Sequence, residues 1–209
     1  MTILIFILAF LITITIHEAA HAYVADKLGD PTARLMGRLT LNPIAHLDIY
    51  GTVIIPLSLI LIGSPFVFGW AKPVPIDPYN LANPKKDSAL ISFAGPFVNI
   101  LLATILAIIL RVFNPFSFEV VAQFLHALIT LNVVLAVFNL IPVHPLDGGK
   151  ILVGLLPTKE AAEFDVFLQR YGFMILIMLI FPLFGGTSLL SLVMSPIVNV
   201  ILNLLLPGA

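Results

Sequence analysis

His17, Glu18 and His21 stand in the run His17-Glu18-Ala19-Ala20-His21, a spacing that suits metal-assisted hydrolysis. On a helix, residues at i and i+4 share a face, so two imidazoles can grip one zinc ion while the intervening carboxylate stands beside it as a general base. The same pattern also occurs by chance in soluble helices. Here it falls within an apolar run, residues 3–24, that contains no Lys or Arg to pair with it. A charged or strongly polar side chain at membrane depth costs roughly 2.5–3.5 kcal/mol on insertion scales, and such residues mark functional sites. Three of them within five positions favour a site over coincidence.

Two histidines leave a catalytic zinc site incomplete, because such sites use three protein ligands and keep one position open. The chain has no cysteine, which removes thiolate ligands, iron–sulfur clusters and disulfides. The remaining candidates include His46, His126, His144 and Asp147. His126 stands alone on an apolar face, where packing or an interfacial hydrogen bond accounts for it. His46 lies in Asn42-Pro43-Ile44-Ala45-His46-Leu47-Asp48, where a His/Asp pair can brace a turn. His144 sits between two prolines, as a turn residue or as a group that supports the site or gates substrate. Asp147 follows in Pro142-Val143-His144-Pro145-Leu146-Asp147-Gly148-Gly149, where prolines break the helix and glycines permit tight turns. Broken backbone at membrane depth is tolerated only when buried in protein or facing a water-filled cavity. A carboxylate presented there is a good metal ligand; the alternative is a polar turn that caps the next helix.

The elements that must position these groups are membrane helices. Hydrophobic residues make up 60% of the 209 positions and charged residues 10%, with a mean hydropathy of +1.11, outside the range of soluble domains. Ten Lys and Arg are dispersed along the chain, which excludes a basic face for nucleic acid. Residues 3–24 lack a basic start and a small-residue cleavage site, so they read as a retained helix and not a signal peptide. Further apolar stretches are Gly51–Phe68, Leu90–Leu110, Val120–Ile141, a run near Phe164–Phe184, and Ser188–Leu206. A span needs ~20 apolar residues to cross ~30 Å of hydrocarbon. Gly51–Phe68 carries Pro56 and is cut at Gly63-Ser64-Pro65, which suits a re-entrant or interfacial segment. Chain length and the absence of a linker suggest one domain over 1–209, with a core over 1–156 and C-terminal helices over 164–207. The C-terminal stretch after Gly185-Gly186 is either a full helix or a membrane-surface element.

Topology tests this arrangement, because the ligands must meet at one depth. If Gly51–Phe68 crossed fully, Asp147 would arrive on the side opposite His17 and His21. If it dips in and returns, the two later spans bring Asp147 back to the histidines. That arrangement puts Lys27, Arg34, Arg38, Lys72, Lys85, Lys86, Lys150, Lys159 and Arg170 on one side and Arg111 on the other. By the positive-inside rule the first side is cytoplasmic and the N-terminus extracytoplasmic. The full-crossing alternative divides the same residues six to four, a poor bias.

The motif at 17–21, together with Asn139-x-x-Pro142-x-x-x-Leu146-Asp147-Gly148, resembles the site-2 protease family of intramembrane metalloproteases. Gly95-Pro96-Phe97-Val98-Asn99 is similar to the Gly-x-x-x-Asn element of that family's middle core helix. The three motifs occur in the family's order. The resemblance implies one zinc ion bound by His17, His21 and Asp147, Glu18 as base, Asn139 as a polar helper near the scissile carbonyl, and cleavage of transmembrane protein substrates. It also implies a multi-pass protein of a prokaryotic plasma membrane, in a minimal form without the PDZ-like or cystathionine-synthase-like domain of many relatives. Gly51–Phe68 is longer than the corresponding region expected in the smallest members.

The expected fold is all-α and polytopic, with about five transmembrane helices, the re-entrant segment and a short membrane-associated β-hairpin. A partly unwound substrate could pair with an exposed strand edge. Ala33–Leu41 and Phe68–Ile76 are the candidates, with interfacial anchoring by Trp70 and Lys72 as the plain alternative. Gly95 and Asn99 suit close helix approach and a hydrogen bond across it more than direct catalysis. The competing function is a zinc transporter or channel, in which the same polar residues would hold metal in transit.

Overall fold

A computed structural model describes residues 2–62, 69–113, 119–184 and 187–206. The first helix, α1 (Thr2–Lys27), runs through the apolar N-terminal stretch and the histidine motif. Two single helical turns follow, α2 (Thr32–Leu35) and α3 (Pro43–His46), and a π-helical stretch Ile49–Ile54 continues into α4 (Ile55–Leu61). An extended segment over 69–77 leads to a 3-10 turn at Pro78–Asn80. The long helices α5 (Pro84–Phe113) and α6 (Glu119–Asn139) come next, then α7 (Asp147–Leu155) and α8 (Thr158–Ile180). A two-stranded antiparallel ladder, β1 (Pro182–Phe184) with β2 (Thr187–Ser188), precedes α9 (Leu189–Leu205).

Among the described residues, three helices are long and apolar enough to cross a membrane: α1, α5 and α6. They pack on one another, with α7 against α5. Their contact faces are rich in alanine, at Ala9, Ala22, Ala25, Ala103, Ala107, Ala122 and Ala136, all buried. Small residues let helix backbones approach closely where lipid removes the ordinary hydrophobic drive for association. Bulky side chains such as Phe6, Ile7, Leu101, Ile105 and Ile108 point outward instead. At one end of the bundle, Ala103, Ala107 and Leu110 of α5 pack with Ile129, Val133 and Val137 of α6 and Val198 of α9.

The expectation of about five spanning helices is met by three on length and composition. The N-terminal thirteen residues of α8 carry Lys159, Glu160, Glu163, Asp165 and Arg170, which dilute its apolar content. The 17 residues of α9 rise only about 25 Å at 1.5 Å per residue. Over Gly51–Phe68, α4 ends at Leu61, and Gly63-Ser64-Pro65 and Phe68 lie outside the described residues. Gly185-Gly186 lies outside them as well.

The connection between α1 and α5 is held by buried polar side chains. Asp30 is fully buried, and its carboxylate accepts from the Thr32 and Asp77 N–H groups at 3.1 and 2.7 Å and from Asn80 Nδ2 at 2.9 Å. The Arg38 guanidinium donates to the Ala45 carbonyl. The buried His46 bonds the Thr40 carbonyl through Nε2 at 2.9 Å, and Asp48 caps the π-helical stretch by accepting from Gly51 N at 2.7 Å. Both therefore brace turns.

Among the described residues, neither candidate edge forms a strand with a partner. Residues 32–35 form a helical turn, and Gly37, at φ +69°, reverses the chain before any extended run can build. Residues 69–77 are extended but outside any ladder, and the described β pairing lies at 182–188 instead. Pro73 and Pro75 explain this, since each removes a donor that a ladder would need.

Candidate metal centre

His17 and His21 lie one turn apart on α1, and both are buried, at 3% and 7% exposure. Asp147 opens α7 directly after the loop 140–146, which turns the chain back from the end of α6. The loop thus delivers a carboxylate to a helix more than a hundred residues away in sequence. His17 Nε2 lies 3.2 Å from Asp147 Oδ2, His21 Nε2 lies 3.3 Å from the same oxygen, and the two Nε2 atoms are 3.1 Å apart.

These separations test the fit of a metal. Three atoms bound tetrahedrally at ~2.0–2.1 Å stand about 3.3–3.4 Å from one another. The three separations lie at or slightly inside that spacing, and the side chains form a group that could hold a metal ion. Asp147 Oδ2 is buried without a hydrogen-bond donor of its own apart from these two rings. The tautomer of His21 is set as well: its Nδ1–H donates to the Ile91 carbonyl at 2.7 Å, which leaves the Nε2 lone pair facing the group.

Gly95 of α5 closes the other side. A Cβ built there would lie 2.5 Å from His17 Cε1 and 2.5 Å from His21 Nε2. Only a residue without a side chain lets α5 pack directly on the two rings. The sequence places Gly95 in a helix contact; its contact with the His17 and His21 rings emerges only from the packing.

Glu18 is half-buried beside the group, and its Oε2 accepts from the Val74 N–H at 3.3 Å. Val74 belongs to the extended segment, which is also tied down by Trp70 N to Gly51 O at 3.1 Å and Lys72 N to His46 O at 2.9 Å. The amides of residues 70, 72 and 74 therefore all face inward. In an extended chain the alternate residues 71, 73 and 75 face the other way. That outer edge carries three carbonyls but a single N–H, on Ala71, because Pro73 and Pro75 have none.

The other candidates fall elsewhere. Asn139 is half-buried near the end of α6, with Nδ2 donating to the Leu135 carbonyl at 3.0 Å. His144 bonds Asp165 of α8 through Nε2 at 3.1 Å, so it ties the loop before Asp147 to the C-terminal part of the bundle. A cavity of about 420 Å³ lies beside that pair, between α5, α7 and α8, and is lined by none of the three clustered groups. His126 lines a separate groove with Ile5 and Phe6 at the beginning of α1. His46, His126 and His144 are thus all apart from the cluster.

A family model described as peptidase family M50 matches residues 5–120 and 114–179. The chain belongs to peptidase family M50. YwhC of Bacillus subtilis (strain 168) is 39% identical over 200 residues, which cover 92% of this chain and 85% of that protein. Rip2 of Mycolicibacterium smegmatis is 29% identical over 175 residues, covering 83% of this chain and 65% of that protein. The zinc metalloprotease MJ0392 of Methanocaldococcus jannaschii is 31% identical over 198 residues, covering 90% and 45%. The chain therefore spans most of YwhC and about half of MJ0392. The names of YwhC and Rip2 assign both provisionally to the zinc metalloproteases. No solved structure matches. Membership in M50 makes this chain a zinc metalloprotease of the site-2 protease type, and nothing in the family or its relatives' names carries the transporter or channel reading.

Proposed function

We propose that His17, His21 and Asp147 hold one zinc ion, that Glu18 is the general base, and that the chain hydrolyses peptide bonds of transmembrane proteins near the cytoplasmic side of the bilayer. The observation that carries this reading is the convergence of Nε2, Nε2 and Oδ2 at 3.1–3.3 Å beside Glu18. The chemistry that zinc supplies when bound is Lewis acidity toward a carbonyl oxygen and a lowered pKa of water, toward ~7.

Glu18 takes a proton from the attacking water as the oxygen–carbon bond forms, and returns it to the leaving nitrogen as the carbon–nitrogen bond breaks. Its Oε2 already accepts one hydrogen bond, from Val74, which orients the carboxylate while leaving lone pairs for water. Asn139 uses one Nδ2 hydrogen on Leu135 and keeps the other, which suits it to donate to the substrate carbonyl oxygen. The outer edge of 71–75 offers carbonyls to the N–H groups of a locally unwound substrate, so recognition there is by acceptors. Residues 1–209 act as one membrane-embedded unit with its core in 1–156, and the N-terminus is extracytoplasmic in a prokaryotic plasma membrane. About five membrane segments remain our proposal, with α8 and α9 joining α1, α5 and α6, and 51–68 re-entrant.

The test is Glu18→Gln in purified protein with a model transmembrane substrate. Cleavage should fall by about 10²–10⁴-fold, while zinc content stays at one per chain. Preserved cleavage would overturn the assignment of the base. In a parallel metal analysis, Asp147→Ala should lose zinc.

A further inference from the structure

Among the described residues, the buried polar atoms without a hydrogen-bond partner include four in the layer beside His17: His17 Nδ1, Asn99 Oδ1, Asn99 Nδ2 and Asn132 Oδ1. Asn99 and Asn132 are both at 0% exposure, on helices α5 and α6. A buried amide left without partners is costly for each unmet group, and more so at membrane depth, so such groups call for partners. The four atoms complement one another. With Nε2 of His17 directed at the metal group, its Nδ1 carries hydrogen and is a donor, as is Asn99 Nδ2, while Asn99 Oδ1 and Asn132 Oδ1 are acceptors.

The helix register brings them to one level. Ile91 O meets His21, and a Cβ at Gly95 would touch both His21 and His17, so α5 runs antiparallel to α1. Asn99, one turn beyond Gly95, therefore lies toward the Thr13 side of His17. Asn132 reaches the same layer from α6, where its Nδ2 donates to Thr13 Oγ1 at 2.9 Å and to the Leu128 carbonyl at 2.8 Å. Thr13 is one turn before His17 on α1.

We infer that Asn99 is a positioning residue for the metal site: its Oδ1 accepts from His17 Nδ1–H, and its Nδ2 donates to Asn132 Oδ1, each through one bridging water. Asn99 then does for His17 what the Ile91 carbonyl does for His21, and it links that ligand to a hydrogen-bonded chain ending at Thr13. Anchoring the second nitrogen of a ligating histidine fixes the ring and raises its basicity. The inference rests on the assignment of His17 as a ligand.

The experiment measures the rate of zinc transfer from purified, zinc-loaded protein to a chromophoric chelator, beside the thermal unfolding of the metal-free forms. His17→Ala is the control for the site: if it loses zinc no faster than the unaltered protein, the ligand assignment fails. Given a fast His17→Ala, Asn99→Leu and Asn99→Ala should release zinc about 10–100-fold faster than the unaltered protein, and Asn99→Asp, which keeps the acceptor, within about threefold of it. Should Asn99→Leu not fold, the comparison of Ala with Asp carries the test. The inference is overturned if Asn99→Ala retains zinc like the unaltered protein. It is equally overturned if Asn99→Asp releases zinc as fast as Asn99→Ala, the pattern of a role in helix packing alone.

Discussion

Glycine at position 95 is as much a requirement of the cluster of His17, His21 and Asp147 as those residues themselves. The histidines can converge on Asp147 only because nothing projects from α5 into the space their rings occupy. A methyl group there meets both imidazole rings, and overpacking of this kind costs about 1–3 kcal/mol. Gly95→Ala should therefore push the rings apart and lower zinc retention by roughly tenfold or more, in the range of losses seen when ligand positioning is disturbed. Zinc content after dialysis against a chelator checks this; full occupancy would show that α5 can yield. The two histidines were legible in the sequence because their spacing is local. The role of Gly95 was not, because it depends on which helix lies opposite.

At the scale of elements, the connection from α1 to α5 is what brings Val74 to Glu18, and Asp30 is its anchor. Burial acts to raise the Asp30 carboxyl, but the hydrogen bonds from Thr32, Asn80 and the Asp77 N–H outweigh it and hold the carboxyl below the ordinary carboxylate range. A lowered folded value means that the stabilisation is fully present above the unfolded value of about 3.9 and is lost as pH falls through the folded one. Thermal unfolding in detergent should accordingly show stability falling as pH drops below about 4. Asp30→Asn should be less stable at pH 7 by roughly 1–3 kcal/mol, with a shallower acid limb. An unchanged acid limb would remove Asp30 from the account. The sequence left 33–41 and 68–76 as candidates for an exposed strand edge, with interfacial anchoring by Trp70 and Lys72 as the alternative. What decided otherwise was the reversal at Gly37 and the missing donors of Pro73 and Pro75.

For the molecule as a whole, the convergence of Asp147 with His17 and His21 constrains the path of the chain. Because α5 begins beside the His21 end of α1 and α6 returns antiparallel to α5, residues 28–83 start and finish at the same end of the bundle. The helical stretch 49–61 rises no more than about 20 Å, short of the ~30 Å of hydrocarbon, which agrees with a segment that does not traverse. The absence of cysteine makes this testable with single introduced thiols. In intact bacterial cells, Lys27→Cys, Lys86→Cys and Lys159→Cys should resist a membrane-impermeant maleimide until the cells are permeabilised, whereas Glu119→Cys should react at once. Opposite behaviour of Lys27→Cys and Lys86→Cys would mean that 28–83 crosses the bilayer.

The sequence by itself determined the membrane setting and marked His17 and His21 as the candidate ligand pair and Glu18 as the candidate base, because apolar content, an i, i+4 spacing and the cost of buried charge are properties of short segments. It also singled out Asp147, through the prolines and glycines that break the helix around it. Only the tertiary structure decided that Asp147 Oδ2 meets both imidazoles at 3.2–3.3 Å, that Gly95 makes room for them, that Val74 orients Glu18, and that His46 and His144 bond elsewhere. The physical reason is that the contacts that build the cluster join residues dozens to more than a hundred positions apart, and no local pattern records which helix faces will be pressed together.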